Sequence, residues 1–563
     1  MIRSTRLAVG LTTAAVVLGA GLSTAYAAPA PPFDVQSNSP QIAHPLGDTT
    51  GVFPNNKQNE PTIAVSPDGV HLVAGANDEQ EQPDCGPGPR RGLTALPSNC
   101  SFFDGVGTDG VYVSSDGGRS WTNTGLIDRQ AAWLASPFVS DGDPVVAFGP
   151  GPDGRGGFTA TSPRVYYQSL ASYKAGQSPF NGGFGGAETI VVSHSDDFGL
   201  TWSAPVIAGP RTNPITFNDK NAMAVDDNLD SPFYGRVYSS WTSFRSATAT
   251  GNGNEPVLTA YSPDGGATFS APKQLSPAAN NGTGNGRQGS AIATTPDGTA
   301  MVAFEQGAAQ VVAVSRDGGT GWSRPGVIGP VADILDPIPG ATFRTNSFAS
   351  LSGDPSVRKG GVAYASWVTR TATGADVVLY KTVNHGVSWA KQPTVYSGTI
   401  TTGYPFFQGM DVAPNGRVDL AWQALKAVNP ATFGTGNASI DAYYTGGGPF
   451  RKVSGQSSDP AVSAQNNLQR QFWGDYSTLV STSATAWFIS TDSRNGVGCP
   501  KVDAYQRFLV SSGAAIQGDE RQAAAKDAAA DSTKPAPPVD CLPAAGDTRR
   551  FGDTDAFVAV ITP

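Results

Sequence analysis

Histidine is nearly missing from this chain. Four occur in 563 residues, His44, His71, His194 and His385, and they are scattered. That scarcity argues against a metal centre built on closely spaced histidines. A Ser-His-Asp triad would want a Gly-x-Ser-x-Gly elbow, and no such phrase occurs. Cysteine is equally scarce, at four, with no Cys-x-x-Cys pair to suggest a thiolate site. Charged residues make up only 15%, with a net charge of −9. An acidic chain is a poor match for a phosphate backbone, so no nucleic-acid partner is expected. After Leu22 no apolar run is long enough to span a bilayer, and no membrane association is expected. Gly182-Gly183-Phe184-Gly185-Gly186 lacks the strand and helix that would make it a phosphate cradle. No cofactor and no metal are expected.

Glycine (68) and proline (44) are abundant, and 39% of residues are hydrophobic. Such a chain can build a large core from many short strands joined by turns, and it leaves little room for long helices.

The first residues have the layout of a secretion leader. Arg3 and Arg6 precede the apolar stretch Leu7 to Leu22, and Ala25-Tyr26-Ala27 fits a cleavage site. A leader over 1–27, cleaved near Ala27, implies an extracellular protein. Loss of the two arginines makes the mature chain more acidic still. Four cysteines suit an oxidising setting. Of three possible connectivities, proximity favours Cys85–Cys100 and Cys499–Cys541.

One phrase recurs five times. Its clearest copy is Ser195-Asp196-Asp197-Phe198-Gly199-Leu200-Thr201-Trp202. The others run from Ser114 to Trp121, Ser262 to Phe269, Ser315 to Trp322 and Thr382 to Trp389. A worn sixth copy spans Tyr444 to Phe450. The carboxylate or amide of Asp116, Asp197, Asp264, Asp317 or Asn384 can accept bonds from its own turn, and the glycine supplies a backbone angle that side chains resist. A second phrase, strand, Pro-Asp-Gly or Pro-Asn-Gly turn, strand, lies upstream of several copies, as at Glu60 to Gly75 and Gly409 to Trp422.

Together the phrases predict units of four antiparallel strands near 58–125, 141–210, 217–277, 286–331, 343–398 and 404–456, with an irregular last unit over 470–563. Repeats of this kind indicate an all-β propeller, with seven blades favoured, or six if the last unit completes the first. The whole of 58–563 reads as one domain. Residues 28–57 read as an arm that could supply a missing strand to the last unit and lock the ring. An Ala- and charge-rich insertion near 513–538 interrupts that unit.

The five-fold phrase resembles the Asp-box, or bacterial neuraminidase repeat, of the sialidase superfamily. Asn59-Glu60-Pro61-Thr62-Ile63-Ala64-Val65, Asn218-Asp219-Lys220 and Gly474-Asp475-Tyr476 also resemble secreted bacterial sialidase-like proteins. The resemblance implies that the box is structural and that the working rim lies at the opposite end of the blades. At that rim it places Glu60, Asp141, Asp143, Asp219, Lys220, Arg287, Arg344, Gln408, Arg470, Asp475 and Tyr476 from the inner-strand starts. From the second-strand ends it adds Asp78, Glu79, Trp241, Glu305, Trp367, Trp422, Asp492 and Arg494.

A sialidase-like mechanism would use Arg287, Arg344 and Arg470 to grip a sugar carboxylate. Tyr476 with Glu305 would form the nucleophile pair, and Asp143 or Asp219 would be the acid. The Arg-Ile-Pro phrase of true sialidases is absent, and Asn59-Glu60-Pro61 stands in its place. The expectation is a monomeric exo-α-sialidase-like glycoside hydrolase that releases a terminal acidic sugar from an extracellular glycan or glycoprotein. The alternatives are a non-catalytic glycan- or protein-binding propeller and a polysaccharide lyase. The Trp241, Trp367 and Trp422 series reads as packing between blades.

Overall fold

A computed structural model of the chain describes residues 32–39, 56–80, 88–90, 93–96, 107–174, 176–179, 189–212, 216–245, 254–277, 287–466, 470–512, 541 and 551–563. The expected leader, Cys85, Cys100 and the 513–538 insertion lie outside these residues.

The fold is a seven-bladed β-propeller of antiparallel blades. Its inner strands are Asn56–Val65, Val145–Pro152, Thr216–Val225, Arg287–Thr294, Ser350–Gly353, Tyr404–Val412 and Thr478–Ser481. Each touches the next in chain order, and the last touches the first, so the ring closes. Every inner strand pairs with the strand that follows it, as Thr62 opposite Gly75 and Val65 opposite Leu72 show; the connection is a tight turn in several blades and longer in the third, over 226–236, and the fifth, over 354–362. The third strand then runs down again to the repeated phrase.

The last blade is completed from the other end of the chain. Its strands Thr478–Ser481, Ala486–Asp492 and Asp553–Ile561 are joined at the outer edge by Phe33–Gln36, in register from Phe33 opposite Val560 to Gln36 opposite Phe557. The expected strand from the N-terminal arm is therefore present. Charge reinforces it: Arg494 Nη2 donates to both Asp34 and Asp492 at 2.6 Å, and the guanidinium covers the Phe557 ring. The blade's long connection carries the helix Pro500–Ser511, and Cys499 is bonded to Cys541 as expected.

The repeated phrase forms one turn five times. In the clearest copy Ser195 Oγ donates to Asp197 Oδ1 (2.7 Å), and Gly199 N donates to Ser195 Oγ (2.8 Å). Thr201 donates to Asp197 through N (2.8 Å) and through Oγ1 (2.6 Å), and Trp202 Nε1 closes on the Gly199 carbonyl (3.1 Å). Asp116, Asp264, Asp317 and Asn384 hold the same place in their own turns. The worn copy keeps a Gly447 N to Thr445 Oγ1 bond and lacks the carboxylate. The outer side of a turn takes bonds from the preceding blade: Trp487 Nε1 donates to Gly117 O (2.9 Å) and Arg164 to Gly265 O (2.8 Å). Trp241, Trp367 and Trp422 are fully buried, as packing residues should be.

One expectation fails. Arg287, Arg344 and Arg470 do not hold equivalent strand starts. Arg287 opens its inner strand opposite Gln306, whereas Arg344 lies in the crossover before Ser350–Gly353. Arg470 belongs to a short ladder with Asn466 ahead of the last blade. These crossovers are longer than repeat spacing suggests, so the three arginines are not at equivalent positions of their blades.

Candidate functional site

Four of the seven inner strands share a backbone irregularity just below the rim. Pairing slips between Asn59 and Thr62, Asp219 and Ala222, Gln288 and Ala291, and Phe406 and Gly409. Each slip is a β-bulge, which re-aims the side chains that flank it. Its first residue is left-handed: Glu60 (φ 53°), Lys220 (φ 53°), Gly289 (φ 67°) and Phe407 (φ 45°). Asp143 (φ 52°) stands at the matching point of the second blade, and Gly474 (φ 84°) lies two residues ahead of that point in the seventh. For residues other than glycine this conformation costs about 1–2 kcal/mol each. Three consecutive blades thus hold a charged residue in a strained conformation at the same place. Only glycine fits at 474, where a Cβ would sit 2.8 Å from both Glu60 Cγ and Glu60 N.

These bulges gather a buried charge cluster. Arg344 grips Asp475 with two bonds, Nε to Oδ1 (2.7 Å) and Nη2 to Oδ2 (2.8 Å). Lys220 Nζ reaches the same carboxylate at 2.5 Å, with Asp143 Oδ2 at 3.8 Å and Asp219 Oδ1 at 4.0 Å. Glu60 Oε1 lies 3.5 Å from Arg344 Nη2. Arg344 is the most accessible member, at 28% side-chain exposure, and Glu60 the least, at 2%. Asparagines brace the cluster. Asn77 donates to Glu60 Oε2 (2.9 Å) and accepts from Asp143 N (2.7 Å), while Asn221 donates to the Asp143 carbonyl (3.0 Å).

Four carboxyl groups share two cations, so they cannot all ionise easily. Burial pushes Asp143 up to about 7; the Glu60 charge adds to this and Lys220 opposes it. Asp219 is pushed up to about 6 by burial, against the pull of Lys220. Burial would raise Asp475 too, but Arg344 and Lys220 hold it well below the usual carboxylate range. Lys220 is buried, yet the surrounding Asp219, Asp475, Asp143 and Glu60 keep it charged. One rim therefore holds both a carboxylate locked in its ionised form and a carboxyl that carries a proton near neutrality. That pairing is what acid–base chemistry requires.

Of the residues expected from sequence, Asp143, Asp219, Arg344 and Tyr476 come together here. Burial drives the Tyr476 hydroxyl far above its ordinary range, and its carboxylate neighbours are Asp143, Glu60, Asp109 and Asp475. Arg470 is buried near Asp336, an electrostatic neighbour it shares with Arg344. Glu305 sits apart with Asp333 and Glu255, and burial pushes it up to about 8. The Arg287 side chain lies outside the described residues. Glu60, Lys220 and Asp475 were on the sequence-derived rim without a role. Asn77 and Asn221 were missed, because nothing in a lone asparagine announces a bridge between blades. Among the described residues no group of three His, Cys, Asp or Glu side chains is arranged to hold a metal.

Beneath the cluster an axial cavity of about 1060 Å³ runs between the inner strands. Lys220, Asn221, Phe348 and Tyr476 line its upper end, and the exposed turn residues Asp68, Pro414 and Ser483 line the other.

No protein-family model and no curated protein matches the chain. Solved structures of similar layout include the intramolecular trans-sialidase of Ruminococcus gnavus, 13% identical, with 65% of this chain and 90% of that one covered at a TM-score of 0.38. The α-L-arabinanase of Penicillium chrysogenum is 12% identical, over 73% and 97% at 0.38. The α-L-arabinofuranosidase of Fusarium graminearum is 14% identical, over 70% and 95% at 0.39. Identities and scores this low say nothing about chemistry.

Proposed function

We propose that this chain is a secreted glycoside hydrolase whose chemistry resides in the rim cluster of Glu60, Asp143, Asp219, Lys220, Arg344, Asp475 and Tyr476. The observation that carries this reading is the strained, left-handed placement of Glu60, Asp143 and Lys220 at equivalent bulges of three successive blades. Strain of this kind persists where a site needs it. Asp143 is the proton donor to the glycosidic oxygen. Asp219, in hydrogen-bond contact with Asp143, forms with it one proton-sharing pair that gives a proton to the leaving oxygen and recovers one from water. Asp475 keeps Lys220 and Arg344 in place.

The narrower reading, an exo-α-sialidase, would use Arg287, Arg344 and Arg470 to grip a sugar carboxylate and Tyr476 as nucleophile. Arg344 and Lys220 are already committed to Asp475, and carboxyl groups outnumber cations in the cluster. A second anion would enter against that balance. We therefore favour a neutral terminal sugar over the acidic one that the sequence resemblance implied.

The test is a panel of neutral chromogenic pyranosides and furanosides beside a sialoside, with purified protein across the pH range. Turnover of a neutral glycoside is expected. Turnover of the sialoside alone would return the sialidase reading. Products with a new double bond would mean a lyase. Glycan binding with no turnover of any compound would leave a binding propeller.

A further inference from the structure

We propose that the axial channel delivers the hydrolytic water to the rim cluster from the face opposite the sugar. This rests on the hydrolase reading above and adds to it a direction of supply. A glycan approaches over the open rim, where Arg344 is the accessible group. Once bound, it covers the cluster from above, and attacking water must come from elsewhere.

The floor of the cluster is also the ceiling of the channel. Lys220, Asn221 and Tyr476 belong to both. Tyr476 Oη, Asn221 Oδ1 and Ser477 Oγ are buried there with no hydrogen-bond partner among the described residues, and all three residues line the channel. An unmade bond on a buried neutral polar group costs about 1–3 kcal/mol, and three such atoms around one end of a roomy cavity are what water satisfies. The wall leaves the way open, because small side chains such as Ala147, Ala222, Ala224, Ser290 and Ser350 line it. The far end reaches solvent at Pro414 and Ser483.

The chemistry balances without another reactant. The water oxygen forms the new bond to the anomeric carbon, and its proton passes to the hydrogen-bonded Asp143–Asp219 pair. The glycosidic carbon–oxygen bond breaks, and the leaving oxygen takes the Asp143 proton.

Two measurements test the proposal. A high-resolution crystal structure should place ordered water on Tyr476 Oη and Asn221 Oδ1, continuous with the channel; a dry upper end overturns the proposal whatever the activity. Ala224→Trp plugs the channel midway, and Ala147→Phe does so from another blade, should the first fail to fold. Either plug should lower kcat at least tenfold at unchanged KM and melting temperature, while Ala224→Ser retains wild-type kcat. A plugged channel with wild-type kcat overturns the channel and leaves the hydrolase reading standing. Absence of turnover by the wild-type protein on every glycoside overturns both.

Discussion

Two features recur around this ring, and they recur in different ways. The turns at Asp116, Asp197, Asp264, Asp317 and Asn384 repeat their side chains, and each side chain spends its bonds inside its own turn. The left-handed points at Glu60, Asp143, Lys220, Gly289 and Phe407 repeat only their backbone. Their side chains differ from blade to blade, and the charged ones bond across blades. A residue repeated because the fold needs it is scaffold. A strained backbone repeated with different side chains is a set of mounting points on which a site is assembled.

The comparison breaks first at Asp475. Asp475→Ala removes the one carboxylate hydrogen-bonded to both Lys220 and Arg344 and leaves them only the more distant Asp143, Asp219 and Glu60. Urea unfolding should show a loss of about 3–5 kcal/mol, the usual consequence of halving a buried ion pair. A loss no larger than that of a surface substitution would mean that the cluster is wetter and looser than its geometry implies.

The next effect is on pH dependence. In the unfolded chain aspartates titrate near 4. In the folded protein burial pushes Asp143 and Asp411 up to about 7, with the Ser352 hydroxyl and the Val412 and Ser481 amides opposing the shift at Asp411. Folding therefore takes up protons between about pH 4 and pH 7. The stability these groups contribute is full below pH 4 and is lost as pH rises through 7. Asp411→Asn, outside the rim cluster, should remove part of that slope and raise stability at pH 8 by about 2 kcal/mol. An unchanged slope between pH 5 and pH 8 would show that Asp411 ionises freely.

Smaller again is the effect of a boxed residue. Asp197 accepts three bonds within its turn, and burial is offset there so that its acidity stays above the ordinary. Asp197→Ala should lower stability by about 1–2 kcal/mol in thermal or urea melts. The smallest expected change is at the worn copy, whose Thr445 lacks a carboxylate partner. Thr445→Ala should lower stability by under about 1 kcal/mol. Equal losses at Asp197 and Thr445 would deny the carboxylate its part in the turn.

The fold was legible because the scaffold is repetitive. Five copies of a phrase with Asp or Asn, Gly and an aromatic ring at fixed offsets encode strand order within the blades, while the count of seven rather than six rested on the worn copy and on a strand-poor last unit, which foretold the closing strand at Phe33–Gln36. The site was half legible. Knowing which end of each blade carries the box pointed to the rim, and with it to Asp143, Asp219, Arg344 and Tyr476. What the spacing could not supply is the course of each crossover into that rim. Arg344 lies in a crossover and Arg470 in a two-residue strand ahead of the last blade, so repeat arithmetic gave them an equivalence to Arg287 that they lack. Pairing across the ring was equally hidden. Asp475, on the last blade, meets Lys220 on the third and Arg344 before the fifth, through contacts set by closure and not by any local pattern. Glu305 looked like the partner of Tyr476 from its strand position, yet it faces Asp333 and Glu255.

The central claim, that bulges carry the chemistry and boxes carry the fold, is tested most directly by comparing kcat/KM for Asp143→Asn and Asp197→Ala. Both should be assayed on whichever glycoside the wild-type protein turns over, well below either variant's melting temperature. The account predicts a loss of about 100-fold or more for Asp143→Asn, as for removal of a general acid, with wild-type kcat/KM for Asp197→Ala. Full activity in Asp143→Asn, or a comparable loss in folded Asp197→Ala, would contradict it.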